Sequence, residues 1–184
     1  MPLIRQSPPA ALALDPDALA EHLRLPHAAP ETDQTLELVA LIRAATTAIE
    51  RRLDTALIEQ TWLWRTPTLA NPLPLAPLVS VNAIETVAPD HTRAPVTGWH
   101  VLRGSPRPRI GGDPHPAPPS GGHYEVSFTA GYGTTGEAVP DDLRHAVTLL
   151  AAHFYENREA TTDPRAPLPF GVGGLLAPYR SIRL

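Results

Sequence analysis

The residues Gly131-Tyr132-Gly133-Thr134-Thr135-Gly136 have the spacing G-x-G-x-x-G. In a dinucleotide-binding unit that spacing turns the chain so that free backbone N–H groups at a helix start face a pyrophosphate. The chemistry requires the helix to begin at the glycines. Here the helix signal begins later, and its first turn carries Asp141 and Asp142, whose charge repels phosphate. No second βα unit with an acidic residue for a ribose follows, so the run reads as a turn linking a strand to a helix.

Eight histidines raise the question of a metal. His153 and Glu156 are three residues apart and share a helix face, but His145 is rotated from them by roughly 80° at 100° per residue. No H-E-x-x-H occurs, and His115 and His123 fall in a Pro/Gly-rich stretch. A metal-dependent hydrolase using His153 and Glu156 is the enzymatic alternative; surface histidines are the plainer reading. No serine lies in G-x-S-x-G. The chain has no cysteine, which excludes a Cys nucleophile, a disulfide framework and Cys-bearing metal sites. Asp141 and Asp142 suit a helix start. Glu156, Arg158 and Glu159 make either an exposed charged helix end or a salt-bridged contact with a partner subunit. No catalytic residue, cofactor site or metal site is expected.

The elements that must position these residues are set by proline. There are 23 prolines in 184 residues. Glu31–Thr66 and Asp141–Asp163 contain none, and twelve fall between Pro67 and Pro119. Asp15 as N-cap and Pro16 at the first helical position predict a short helix that Pro26 and Pro30 stop. Leu38, Ile42, Ala45, Ile49, Leu53 and Ala56 form one helical stripe, predicting an amphipathic helix from Thr32 or Asp33 to about Leu57. Strand signals follow at Thr61–Thr66, Val79–Val87, Trp99–Leu102 and Tyr124–Thr129. In the first, Trp62 and Trp64 face one side; in the last, Tyr124, Val126 and Phe128 oppose Glu125, Ser127 and Thr129. Ser105–Gly122 reads as a long loop. A helix after Pro140 carries the stripe Leu143, Val147, Leu150 and Phe154, widened by Ala146, Leu149, Ala151 and Ala152. A turn of helix over Gly174–Ala177 precedes an apolar, aromatic end that is unusual for a solvated tail.

The expected fold is α+β. It is a bundle of three to four helices, two of them long, with a proline-rich β insert between the long helices. The expected layout is a single domain over 1–184, with the insert at 61–133 and a C-terminal tail at 168–184. Apolar runs are too short to span a membrane, and the N-terminus lacks the order of a signal peptide. All fifteen cations are Arg, and the net charge of −4 disfavours a nucleic-acid binder driven by global charge.

Four blocks, in order and spacing, resemble the head–tail connector (adaptor) proteins of long-tailed phages and of gene transfer agents. They are Leu14–Arg24; Ile42–Trp62, ending Leu57-Ile58-Glu59-Gln60-Thr61-Trp62; Phe128–Gly133 through Val139-Pro140 to Ala151–Glu159; and Pro169-Phe170-Gly171 to Leu175-Leu176-Ala177-Pro178-Tyr179-Arg180. The segment Pro67–Gly122 does not match in detail. The resemblance implies a non-enzymatic structural protein of a virion or phage-like particle, sited at the head–tail interface. It implies a ring of twelve beneath the capsid portal, contacting a stopper or other tail component below and extending a channel through which DNA passes without sequence-specific binding. A stopper or tail-completion role is the neighbouring alternative. The family's C-terminal segment docks into the portal, which here implies Phe170, Leu175, Leu176, Tyr179, Arg180, Ile182 and Leu184 as portal-binding residues. Truncation after Ala177 is expected to leave a folded protein that no longer co-purifies with the portal; retained binding would overturn that assignment.

Overall fold

The computed structural model describes residues 2–25, 33–104, 107–112, 116–157 and 171–180. In chain order the elements are β1 (Leu3–Arg5), α1 (Pro16–His22), α2 (Asp33–Leu53), β2 (Gln60–Thr66), β3 (Leu78–Val87), β4 (Arg93–Pro95), β5 (His100–Leu102), β6 (Arg109–Gly111), β7 (His123–Ala130), α3 (Asp141–Glu156) and α4 (Val172–Leu176). Single 3-10 turns cover Gly136–Ala138 and Ala177–Tyr179. The fold is α+β, with four helices and an antiparallel sheet of five strands among the described residues. The chain divides into two compact units.

The first unit comprises Met1–Ala10 and Asp54–Tyr132. Its sheet has the order β1-β2-β7-β3-β4, and β5 and β6 form a separate hairpin. Strand β7 is central: Val126 lies opposite Trp64 on one side and Ile84 on the other. Alternation does the sorting. Tyr124, Val126, Phe128 and Ala130 turn into the core with Trp64, and Trp62 packs against its margin, while Ser127 and Thr129 lie on the opposite face. The proline-punctuated stretch after β2 contributes as well. Leu69, Leu73 and Leu75 are buried in the same core, as are Val96 and Ile110. Each such burial is worth about 1.5–3 kcal/mol. The core therefore draws on loop residues whose extended, proline-set backbone shows no helical or strand period.

Three strands, β1, β4 and β6, were not expected from the sequence, and the first two lie at the edges of the five-stranded sheet. The three-residue β1 pairs with β2 by matching Ile4 to Leu63, so the unit that contains residues 61–132 also recruits the N-terminus. The three-residue β4 pairs Ala94 with Thr86. Both are edge strands, short and flanked by or ending in proline, which limits strand addition. Within the expected loop Ser105–Gly122, residues Arg109–Gly111 form β6, because Ile110 has core to cover; Ser105, Pro106, Asp113, Pro114 and His115 lie outside the described residues.

The second unit comprises Ala11–Leu53 and Gly133–Leu184. In α1, Asp15 Oδ1 accepts from the Asp17 N–H at 2.9 Å and Pro16 opens the helix. Helix α2 buries Leu38, Ile42, Ala45, Ile49 and Leu53, the stripe read from the sequence. It ends at Leu53 and not near Leu57. Asp54 takes φ +51°, and Ala56 then donates to Ala76 O at 3.0 Å. The apolar period overran the helix because Ala56, Leu57 and Ile58 are themselves fully buried outside it. Helix α3 buries Leu143, Ala146, Val147, Leu150, Ala151 and Ala152. It packs on α2, α1 packs against both, and α4 lies on α3. The small side chains of Ala45, Ala146 and Ala151 allow close helix approach.

At Gly131 the backbone has φ +146°, and an added Cβ would sit 2.5 Å from the backbone N and Cα of Glu59. Gly131→Ala is expected to destabilise the protein by about 2–4 kcal/mol, read as a lowered denaturant midpoint, through strain plus overpacking.

Candidate functional site

The structure gives the glycines of the G-x-G-x-x-G run a packing role. Beside Gly131 stands the backbone of Ile58 and Glu59; a side chain at Gly133 would collide with Ala138, and one at Gly136 would lie 2.9 Å from the carbonyl oxygens of Leu12 and Ala13. The space a pyrophosphate would need is filled by protein. The first full turn of α3 begins at Asp141, its Leu143 and Arg144 N–H groups both donating to Pro140 O at 3.0 Å.

His153 is exposed at the end of α3. Asn157 closes the helix there, its Nδ2 donating to His153 O at 2.9 Å and standing 3.1 Å from His153 Nδ1. Glu156 and His145 are also exposed. Among the described residues no group of three or more His, Asp or Glu is placed to hold a metal. His153 thus belongs to the last turn of the helix that Asn157 caps.

The C-terminal segment is held to its unit by alternate anchoring. Val172 and Leu176 are buried, and α4 packs on α3. Leu175 and Tyr179 are half-buried and Arg180 is exposed. Burial, followed by the charges of Asp142 and Asp141, pushes the Tyr179 phenol above its ordinary value. Leu176 therefore faces inward, while Leu175, Tyr179 and Arg180 remain accessible to a partner. Phe170, Ile182 and Leu184 lie outside the described residues. The helical turn starts at Val172, two residues before the sequence expectation, because Val172 has a buried position to fill.

A feature the sequence reading missed lies on the outer face of the sheet. Glu125 on β7 sits opposite Arg65 on β2 and Glu85 on β3. Its side chain is 2% exposed, with Arg65 Nε 2.8 Å from Oε1 and Arg93 Nη1 2.8 Å from Oε2. Arg93 also reaches Glu85 at 2.8 Å, and His123 Nε2 lies 3.7 Å from Glu125 Oε1. Burial works to raise the Glu125 pKa, but the Arg65 hydrogen bond and the charges of Arg93 and Arg65, with His123, outweigh it and hold the group below the usual carboxylate range. Two guanidiniums, half-exposed themselves, thus fasten three strands through one buried carboxylate. These partners are 28 to 60 residues apart in the chain, and only the strand register brings them together. At the margin of the sheet, Arg5 stacks over the Trp62 ring at 5.1 Å.

A depressed carboxylate contributes stability that is present above its unfolded value of 4.5 and lost as the pH falls through its folded value. Glu125→Gln is expected to cost about 1–3 kcal/mol at pH 7. It should also flatten part of the loss of stability that the parent protein shows below about pH 4.5; denaturant titrations at pH 7 and pH 3 check both.

No family model matches the sequence, nor does any curated protein. Solved structures do match. The chain is 34% identical to one in a structure described as the neck of an empty GTA particle computed with C6 symmetry. The TM-score is 0.83, and the match covers 100% of this chain and 97% of that one. Chains in the virion of a native gene transfer agent (GTA) particle and in the neck of a native GTA particle computed with C12 symmetry match at the same identity and coverage, with TM-scores of 0.81 and 0.79.

Proposed function

Since the chain belongs to the head–tail connector family found in gene transfer agent necks, we propose that it is a structural neck protein, the adaptor that forms a ring beneath the capsid portal. The observation that carries this is the end-to-end match: 34% identity over the whole chain, including both the sheet-bearing and the helical segments. A ring of twelve is compatible with neighbours computed in C6 and in C12, because six-fold symmetry is contained in twelve-fold. The protein has no enzymatic role in this reading. Its place is the virion, at the head–tail interface.

The geometry suits a spacer that delivers a docking segment. The buried pair Val172 and Leu176 fixes the stem of the C-terminal segment on α3. Leu175, Tyr179 and Arg180 then present apolar, aromatic and cationic groups outward. With Phe170, Ile182 and Leu184 they form the surface offered to the portal, while Leu176 acts from within by holding the stem in place. The opposite end of the ring meets a stopper or another tail component. Each copy carries a net charge of −4, so with acidic groups lining the channel DNA slides past without the many cation contacts that tight phosphate binding requires. The duplex passes through without sequence-specific contact.

A cryo-EM map of the assembled particle neck tests the reading. The expected result is twelve copies of this chain between the portal and the next tail ring, with the C-terminal segment inserted into the portal. A position below that ring, without portal contact, would reassign the chain as a stopper or tail-completion protein. Absence from the neck would overturn the reading altogether.

A further inference from the structure

Charge is not spread evenly along the chain. Between Asp90 and Asp113 there are four arginines and two histidines and no acidic residue, in a protein of net charge −4. Two of these arginines are engaged within their unit: Arg93 with Glu85 and Glu125, and Arg107 with Asp54 at 2.8 Å. The other two are not ion-paired among the described residues. Arg109 lies on β6 and Arg103 directly follows β5, and both are exposed.

The hairpin sets Arg109 on its outward face, and Arg103 follows at the margin of that face. Val101 and Ile110 pack toward the core, so by strand alternation His100, Leu102 and Arg109 point away from it. Leu102 is 49% exposed, and the side chains of His100 and Leu102 lie over Gly111, where a Cβ would come within 2.9 Å of each. Arg103 reaches the carbonyl oxygen of Val79, whose own side chain is 40% exposed. The result is an outward patch of Arg109 and His100 around an uncovered leucine, with exposed Arg103 at its margin. A polyanion such as DNA would pair with the arginines and leave that leucine in water.

Helix α1 carries the complement. Asp15, Asp17 and Glu21 are exposed around a shallow groove floored by Ala18, Ala20 and Leu25. Acids at the rim and small apolar groups between them match arginines around a leucine. Resting on the ring reading above, we propose that the β5–β6 hairpin of each copy docks, through Leu102, Arg103 and Arg109, onto the α1 groove of the next copy. A closed ring needs such a pair of unlike surfaces, because its contacts are head-to-tail and no surface meets itself. The apolar centre supplies burial, and the flanking charges set register and reject the reversed orientation.

The absence of cysteine makes the test clean. Particles are assembled with the full-length chain carrying Ala18→Cys and Gly104→Cys, both exposed positions that leave Leu102, Arg103 and Arg109 in place, and treated with a short bismaleimide. A ladder of covalent oligomers on a denaturing gel is expected. Monomer alone, with the chain still present in the neck, would overturn the docking and leave the ring reading standing; absence from the neck would overturn both. Adding Arg109→Glu should cut the ladder by about tenfold, and adding Asp17→Arg to that variant should restore it. An intact ladder after Arg109→Glu, with loss of retained DNA instead, would make the hairpin a nucleic-acid contact and defeat the proposal.

Discussion

Strand β7 must hydrogen-bond on both flanks, to β2 along seven residues and to β3 along its length, and this requirement organises the first unit. A proline in any of these three strands would remove a ladder donor, and none of the three contains one. The prolines fall where an N–H is not needed: Pro2 and Pro95 at the sheet edges, Pro16 in the first turn of α1, Pro140 before α3, and the segments between strands. The unusual composition is thus a map of hydrogen-bond demand. Where the ladder is continuous, proline is absent; where leucines need only an extended backbone to reach the core, as at Leu69, Leu73 and Leu75, it is abundant.

The same demand explains what could be read from the sequence. Helix stripes and strand alternation are local, and they placed Ile42, Ile49, Leu143, Val126 and Phe128 in cores correctly. The end of α2 was legible only to within a turn, because the apolar period continues into Ala56 and Leu57 while a left-handed Asp54 breaks the helix. Edge strands of three residues carry too little pattern to be seen. The Glu125 cluster was invisible for a different reason: Arg65, Glu85, Arg93 and Glu125 are ordinary surface residues until the register sets them side by side. By contrast, the acid-free stretch between Asp90 and Asp113 stood in the sequence, but its meaning needed the hairpin to show which two arginines lack an acidic partner within the described residues.

The G-x-G-x-x-G run shows how a spacing can be right and its chemistry wrong. Glycine is required at Gly131 because the chain leaves β7 with a positive φ and presses against the backbone of Glu59. Phosphate loops use glycine for the same physical reason, close approach to a backbone, with a ligand in place of a second chain segment. Occupancy of the space beside the glycine separates the two cases, and sequence does not report it.

A buried ion-paired carboxylate is seldom the most stabilising way to hold a sheet, since well-packed apolar groups of similar volume can do as well or better. Its value at Glu125 is directional. Arg65 comes from β2 and Arg93 from β4, so both must reach one carboxylate at 2.8 Å, and a one-residue slip of either strand would turn its arginine to the opposite face. An apolar outer face would tolerate such a slip and would also invite sheet-to-sheet association. In the ring proposed above every copy would present the same surfaces, and there a fixed register matters more than the last increment of stability. The cluster therefore fixes the register of the sheet whose core the β5–β6 hairpin packs against through Val101 and Ile110.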